Sequence, residues 1–206
     1  MKERPILFRA PMVNAILEGR KTQTRRVLDW PTLHDSVCLD FEHDQVIGEL
    51  GEHGEVLDVK MRYRPGDRLW VRETWRQCIR PHPTRRSAGA EGILYRADDS
   101  FRVQRAPGGY DKGYGGRWKP SIHMPRWASR ITLEVTDVRV ERLQDISEDD
   151  CDAEGVDRSH GGGEWGEESL IEDFMSLWNS INGPDAWEAD PWVWVVGFER
   201  LSGGVS

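Results

Sequence analysis

The segment Gly19-Arg20-Lys21-Thr22-Gln23-Thr24-Arg25-Arg26 is the most informative part of this 206-residue chain. It combines four cationic side chains with two threonine hydroxyls. It follows residues 11–18, whose apolar positions have helical spacing and for which Gly19 is a natural end. A donor-rich turn of this kind suits an anion such as a phosphate or a nucleotide backbone. The alternative is an exposed helix C-terminus, where the helix dipole favours cations.

The elements on either side of this segment mix strands and helices. Strands are predicted at residues 5–8, 68–75, 93–96, 131–143 and 192–198, and helices at 11–18, 147–155 and 170–181. In the strand at 131–143 the apolar alternation slips at Thr136-Asp137, which indicates a bulge. Because the order is not a repeated strand–helix alternation, a doubly wound parallel sheet is disfavoured. A small mixed or antiparallel barrel flanked by helices fits better.

Three stretches interrupt these elements. Residues 31–64 predict a hairpin-like insertion, whereas 76–92 and 99–116 are rich in Gly, Pro and Arg and predict loops. The Gly161-Gly162-Gly163 run predicts a flexible connector ahead of the helix at 170–181.

The segment at 19–26 resembles the signature of the ASCH domain, a branch of the PUA-like superfamily, as Gly-Arg-Lys-Thr-x-Thr-x-Arg. Supporting blocks follow in the family's order, namely Pro65-Gly66-Asp67-x-Leu69, Ser147-Glu148-x-x-x-x-Ala153-Glu154-Gly155 and the final strand at 192–198. The overall pattern is similar to a longer ASCH-type group carried by bacteriophages and prophages. The resemblance implies an α+β fold, a PUA-like small mixed or antiparallel β-barrel with flanking helices and long loop insertions. It implies a single domain over 1–206, with insertions at about 30–64, 76–117 and 157–168.

The resemblance also implies a hydrolase that processes RNA or nucleosides. One branch of the family is similar to amidohydrolases that remove the acetyl group from N4-acetylcytidine, and its catalytic residues fall on Lys21, Thr24 and Glu154. A buried lysine with a lowered pKa can activate a weakly nucleophilic threonine hydroxyl, and a glutamate can protonate the leaving amine. The alternative for Glu154 is a solvated residue at a helix end.

A second group of candidates lies in the basic segment 102–130, which holds seven Lys and Arg residues against Asp111 alone. The segment also holds Trp118 and Trp127. Cations together with tryptophans suit phosphates and stacked bases. The alternative is that both tryptophans pin an extended loop against the barrel. For Glu73 we favour a structural ion pair with Arg72 over a side chain that points into the barrel mouth. The predicted binding residues are Arg20, Thr22, Arg25, Arg26, Glu73, Trp118, Lys119, His123, Arg126 and Trp127.

The formal charge of −8 hides an uneven distribution. Residues 134–173 hold fifteen acidic side chains against three arginines, so the acidic total does not exclude a polyanionic partner. Trp178, Trp192 and Trp194 lie in periodic segments and are predicted core residues. The six histidines are scattered and the three cysteines lack a CxxC pair, so no metal or other cofactor is expected.

The composition and the resemblance leave several partners open. We expect RNA or a modified nucleoside as the partner, no membrane contact, a monomer and a cytoplasmic location, within a bacterial host if the chain is phage-encoded. The alternatives to the hydrolase are a non-catalytic module that binds RNA or modified nucleic acid, and a single-strand ribonuclease. A phage structural or host-takeover factor that acts through protein contacts is a further possibility.

Overall fold

The computed structural model describes residues 1–28, 36–40, 45–50, 55–80, 90–104, 116–156 and 169–201. Within these ranges the strands are β1 (Glu3–Leu7), β2 (Gln23–Val27), β3 (Ser36–Asp40), β4 (Gln45–Leu50), β5 (Glu55–Lys60), β6 (Arg68–Arg72), β7 (Trp75–Arg80), β8 (Ala90–Tyr95), β9 (Phe101–Val103), β10 (Thr132–Arg142) and β11 (Trp192–Arg200). The helices are α1 (Ala10–Leu17), α2 (Glu148–Ala153) and α3 (Leu170–Asn182). The predicted α+β class is confirmed.

The described strands form three sheets. One has the order β1-β6-β10-β11-β2, and the others are the meanders β3-β4-β5 and β7-β8-β9. A closed barrel is not among the pairings of the described strands, and it stays a prediction. The chain divides into two compact units, the first made of Met1–Glu18, Arg68–Leu133 and Arg200–Ser206, and the second of Gly19–Asp67 and Glu134–Glu199.

In the first unit, β1 and β6 pair in parallel, with Pro5 opposite Trp70. The helix α1 begins directly after β1, and Pro11 lies in its first turn, where a missing N–H costs nothing. Its buried side chains are Val13, Ala15 and Ile16, in agreement with the helical spacing of the sequence. The predicted strand at 68–75 is two strands, because β6 ends at Arg72 and β7 begins at Trp75.

The first unit also corrects the loop prediction for 76–92 and 99–116. Strand β7 continues to Arg80 and β8 begins at Ala90, and they pair antiparallel with Trp75 opposite Tyr95. Strand β9 adds to β8, with Phe101 opposite Leu94. The Gly and Arg content of these stretches suggested loops, but the long-range pairing outweighs weak local propensity. Residues 81–89 and 105–115 lie outside the described part of the chain.

In the second unit, β2 pairs antiparallel with β11, with Thr24 opposite Val196. The predicted hairpin-like segment is one strand longer than a hairpin, since β3, β4 and β5 pair antiparallel in succession, and its status as an insertion stays a prediction. The predicted connector at 161–163 falls outside the described residues.

The long strand β10 shows the expected slip in its alternation. Leu133, Val135 and Val138 are buried, whereas the consecutive residues Thr136 and Asp137 are both exposed. Both sides of the slip therefore present their apolar side chains to a core.

Both helices of the second unit, α2 and α3, begin where the sequence predicts. The Ser147 side chain accepts a hydrogen bond from the Asp150 N–H at 3.2 Å and so caps α2. Helix α3 begins after Ser169 and ends at Asn182, with Gly183 as its C-cap, and it packs Phe174 and Trp178 into a core with Val193 and Val195.

Two of the three predicted core tryptophans are buried. Trp178 and Trp194 are 5% and 2% exposed. Trp192 is a correction, because it is partly exposed and the Arg142 guanidinium lies 4.7 Å from the centre of its ring. Trp192 is the first residue of β11, and its position at the end of the strand explains its exposure.

Candidate functional site

The segment at 19–26 leads from a turn at Gly19 into strand β2, which begins at Gln23, and is not an exposed helix end. Gly19 has a φ of +80°, a conformation that glycine adopts without strain, and the chain then enters β2. Lys21, Gln23 and Arg25 are buried, and their positions two apart give them the same face of the extended chain. The interpretation of these residues as a solvated helix C-terminus is therefore wrong.

Lys21 and Glu154 form a buried ion pair. The Lys21 Nζ donates to Glu154 Oε2 at 2.7 Å and to the Glu154 main-chain oxygen at 2.7 Å. Neither side chain is more than 4% exposed, so the interpretation of Glu154 as a solvated helix end is also wrong. Burial lowers the pKa of Lys21, and the attraction of the Glu154 carboxylate opposes that shift without reversing it.

Arg25 extends this pair into a network with three carboxylates. Its guanidinium donates to Asp150 Oδ2 at 2.9 Å, to Glu154 Oε1 at 3.4 Å and to Glu141. Asp150 and Glu154 lie four residues apart around α2, a spacing that places both on one side of the helix.

Arg139 closes the network from β10. Its guanidinium donates to both Asp150 oxygens, at 2.9 and 3.0 Å, and to Glu141 Oε2 at 3.0 Å. Gln23 bridges Arg139 and Asp150 through its side-chain oxygen and nitrogen. Burial alone would raise the pKa of Asp150, but the hydrogen bonds from Gln23, Arg25 and Arg139 hold it at about 2.

This network joins three cations to three carboxylates, and a fourth, the exposed Asp137, lies 3.8 Å from Arg139. Lys21, Arg25 and Arg139 donate to Glu154, Asp150 and Glu141, and the side chains of Lys21 and Arg25 have no exposed surface. Two of the cations proposed to hold a phosphate are thus neutralised by acidic groups of the chain itself.

Thr24 is buried on β2 but lies apart from the Lys21–Glu154 pair. It stands between Gln23 and Arg25, and because successive strand residues point to opposite faces, its hydroxyl faces away from α2. Among the described residues it is not a hydrogen-bond partner of Lys21 or Glu154. Two of the three predicted catalytic residues are therefore in contact, and the third is on the other face of the strand.

The other residues of the segment differ in exposure. Thr22 is exposed, and its N–H donates to the Ala153 carbonyl at 2.8 Å. Arg20 is exposed, with its guanidinium 3.4 Å from the Gly155 carbonyl. Arg26 is partly buried, and burial lowers the pKa of its guanidinium.

Glu73 takes part in an ion pair of the first unit. It is 2% exposed and accepts two hydrogen bonds from Arg130, at 2.8 and 2.9 Å. Arg130 also donates to Asp98 Oδ2 at 2.8 Å, and its guanidinium lies 4.2 Å from the centre of the Tyr95 ring. The expected structural ion pair exists, with Arg130 rather than Arg72 as its partner.

The basic segment 102–130 places its two tryptophans differently. Trp127 packs edge-on against Trp75, with ring centres 5.8 Å apart, beside a buried cluster that includes Tyr95. This contact agrees with a tryptophan that pins the loop. Trp118 is partly exposed, and the guanidiniums of Arg76 and Arg96 lie 4.7 and 5.5 Å from its ring centre.

The remaining predicted binding residues lie near these tryptophans in the chain. The Lys119 ammonium is 5.1 Å from the centre of the Trp75 ring. His123 is exposed on a single helical turn, Ser121–His123. Arg126 is 45% exposed and pairs with Glu3.

Several residues that form these two clusters are not among the predicted site residues. Gln23 follows Lys21 by two positions, Arg139 and Glu141 are two apart on β10, and Asp150 precedes Glu154 by four. These spacings could have indicated the network. Arg76 and Arg96 gave no such signal, because the β7–β8 register that brings them to Trp118 cannot be derived from local sequence. Within the described ranges, no three His, Cys, Asp or Glu side chains are grouped as a metal site requires.

Comparison with known proteins gives two structural neighbours. No family model matches the sequence, and no curated protein matches it either. An Enterococcus faecalis V583 protein of the family DUF984 matches with a TM-score of 0.40 and 12% identity, over 100% of this chain and 86% of that one. An ASCH domain from Lactobacillus crispatus JV V101 matches with a TM-score of 0.36 and 12% identity, over 97% of this chain and 79% of that one.

The second of these structures bears the family name that the sequence motifs suggest. At this level of similarity, the roles of individual residues have to follow from the contacts within this chain. In the described part of the chain, no helix has both the length and the apolar character needed to cross a membrane.

Proposed function

We propose that this protein binds nucleic acid through a cationic surface of the first unit formed by Arg76, Arg96 and Trp118, hereafter the Trp118 surface. The observation that carries the proposal is that two guanidiniums lie over one partly exposed indole ring, at 4.7 and 5.5 Å. Cations held against an aromatic face are fixed in position and keep their charge. Phosphates are the natural partners of such a pair.

Three arginines of the networks described above provide a contrast with this pair. Arg25, Arg130 and Arg139 each donate to carboxylates of the chain. Among the described residues, neither Arg76 nor Arg96 forms an ion pair with an acidic side chain. Two like charges near one ring repel each other, and a bound polyanion relieves that repulsion.

The experiment is a binding titration with single-stranded RNA at several salt concentrations. The Arg76→Ala/Arg96→Ala variant is expected to bind at least tenfold more weakly at low salt, and to show a shallower decline of affinity with salt, by about 1.4 in the log–log slope for two lost phosphate contacts. The control is Arg62→Ala, which removes an exposed charge from the second unit. Unchanged affinity in the double variant would refute the proposal.

A second candidate is a hydrolase that removes the acyl group from N4-acylated cytidine with Lys21, Thr24 and Glu154. The observation that favours it is the buried Lys21–Glu154 contact at 2.7 Å, together with the lowered pKa of Lys21. A lysine with a lowered pKa gives up its proton more readily than an exposed lysine does. The position of Thr24 on the opposite face of β2 weighs against it.

The test for the second candidate follows release of cytidine from N4-acetylcytidine. If the wild type is active, Lys21→Ala and Thr24→Val should both abolish turnover, while Arg62→Ala should retain it. A reaction that continues at the wild-type rate in Lys21→Ala excludes this set. Ribonuclease activity, phage origin, a monomeric state and a cytoplasmic location stay predictions from the sequence.

A further inference from the structure

The Trp118 surface is one end of a row of side chains across the β7-β8-β9 sheet. Trp75 pairs with both Tyr95 and Lys119, so the next residues along, Arg76, Leu94 and Trp118, lie side by side. Leu94 pairs in turn with Phe101. The row therefore reads Trp118, Arg76, Leu94 and Phe101, and all four side chains are partly exposed.

The opposite face of this sheet is the buried one. Trp75, Ile93 and Tyr95 belong to a core cluster with Met124 and Ala128. Because side chains alternate along each strand, the row that starts at Trp118 points away from that core. Arg96 follows Tyr95, is exposed, and lies over the Trp118 ring from the same outer side.

Gly92 makes room for the Phe101 ring on the outer face. A β-carbon at Gly92 would overlap both the Phe101 ring and the Arg102 main-chain oxygen. The ring therefore lies close to the backbone of β8, at a position where any other residue would displace it. A partly exposed aromatic ring can stack against another planar group.

We infer that this outer face binds single-stranded nucleic acid, with an unpaired base stacked on Phe101 and the sugar-phosphate backbone held by Arg76 and Arg96, whose guanidiniums Trp118 positions. The inference rests on the proposed nucleic-acid binding and specifies its substrate class. Aromatic rings and arginines on one sheet face are the two components that single-strand recognition uses. Leu94, which lies between Arg76 and Phe101 in the row, is aliphatic and adds no acidic group.

Stacking on Phe101 favours an unpaired strand. Neighbouring bases in a duplex strand are ~3.4 Å apart and are stacked on each other. A base that lies on the Phe101 ring must therefore be separated from its neighbours, which a duplex does not allow.

The experiment compares four probes: a single-stranded RNA octamer, a DNA octamer of the same sequence, the corresponding duplex, and inorganic polyphosphate, which has charge without bases. Wild-type protein is expected to bind the single strands at least tenfold more tightly than the duplex. Phe101→Leu is expected to weaken single-strand binding by about tenfold, as loss of one stacked base does, and to leave polyphosphate binding unchanged.

Phe101→Tyr is the matched control, since it keeps the ring and should keep the affinity, and near-ultraviolet circular dichroism verifies that each variant is folded. Equal affinity for duplex and single strand, or wild-type affinity in a folded Phe101→Leu variant, would overturn the stacking inference while leaving nucleic-acid binding intact. Failure of the wild type to bind all four probes would instead overturn the proposed function itself. The RNA and DNA arms distinguish the two sources of single strand.

Discussion

Lys21 binds Glu154 at two points, because its Nζ lies 2.7 Å from a carboxylate oxygen and 2.7 Å from the main-chain oxygen of the same residue. Next to it, the Thr22 N–H donates to the Ala153 carbonyl at 2.8 Å. The C-terminal carbonyls of a helix have no partners within the helix, so these contacts satisfy the end of α2. The ion pair thus fixes both the backbone and the side chain of Glu154.

Lys21→Met is expected to lower the free energy of unfolding by about 3 kcal/mol, because it leaves the buried Glu154 carboxylate short of a cation. The double variant Lys21→Met/Glu154→Leu should lose much less than the sum of the two single changes, since it removes both charges. Urea denaturation of the four proteins measures this. Additive losses would show that the pair contributes no coupling energy.

The network around Asp150 predicts a loss of stability in acid. Its hydrogen-bond partners hold the folded-state pKa at about 2, below the ordinary value of 3.8. A depressed carboxyl pKa gives stability that is present above pH 4 and is lost as the pH falls through 2. This one group is expected to contribute about 2 kcal/mol.

Asp150→Asn tests this loss of stability in acid. The variant should be less stable than the wild type at pH 7, and the difference should shrink towards pH 2, as followed by urea unfolding at each pH. Asp149→Asn is the control, because Asp149 is the neighbouring residue of α2 and is exposed. A difference that stays constant from pH 7 to pH 2 would contradict the assignment.

Local patterns in the sequence predict the helices and the long strands of this protein. The cap at Ser147 and the slip at Thr136-Asp137 are both visible because they depend on neighbouring residues. The β7-β8-β9 meander is different. Its strands carry Gly92 and several arginines, and only the pairing between distant segments makes strands of them.

The candidate site likewise contains some residues that the sequence predicts and others that it does not. Lys21 and Glu154 were predicted through a family resemblance, and they are in contact. Thr24 was predicted from the same motif, but side chains alternate along a strand, so Thr24 lies on the other face of β2. The sequence was interpreted as a turn, and a turn does not predict this alternation. Arg76 and Arg96 were missed, because their meeting at Trp118 depends on the register of a sheet.

Cys151 is expected to resist alkylation in the folded protein. It is fully buried on α2, and burial, with the nearby carboxylates, raises the pKa of its thiol to about 12. Because the thiolate is the reactive form, iodoacetamide at pH 8 should modify Cys151 only after unfolding. Peptide mass spectrometry of native and urea-treated samples measures this, and rapid native labelling at Cys151 would contradict it.

Arg130 is expected to be the arginine of the first unit that is hardest to replace, because its guanidinium contacts Glu73, Asp98 and Tyr95 at once. Arg130→Lys should lower the free energy of unfolding by about 2 kcal/mol, since an ammonium cannot form the two parallel bonds to Glu73. Arg130→Ala should cost about 3–5 kcal/mol, because it leaves a buried carboxylate without its cation.

The pH dependence of Arg130→Ala separates this ion pair from a general packing defect. Burial already raises the pKa of Glu73, and the bonds from Arg130 oppose that shift, so their loss should raise the pKa further. A raised carboxyl pKa gives stability that is lost as the pH rises through it, so the deficit against wild type should be larger at pH 8 than at pH 5. In Glu73→Gln/Arg130→Ala this pH dependence should disappear. Urea unfolding at both pH values measures these deficits, and an equal deficit at pH 5 and pH 8 in Arg130→Ala would show that Glu73 does not depend on Arg130 for its charge.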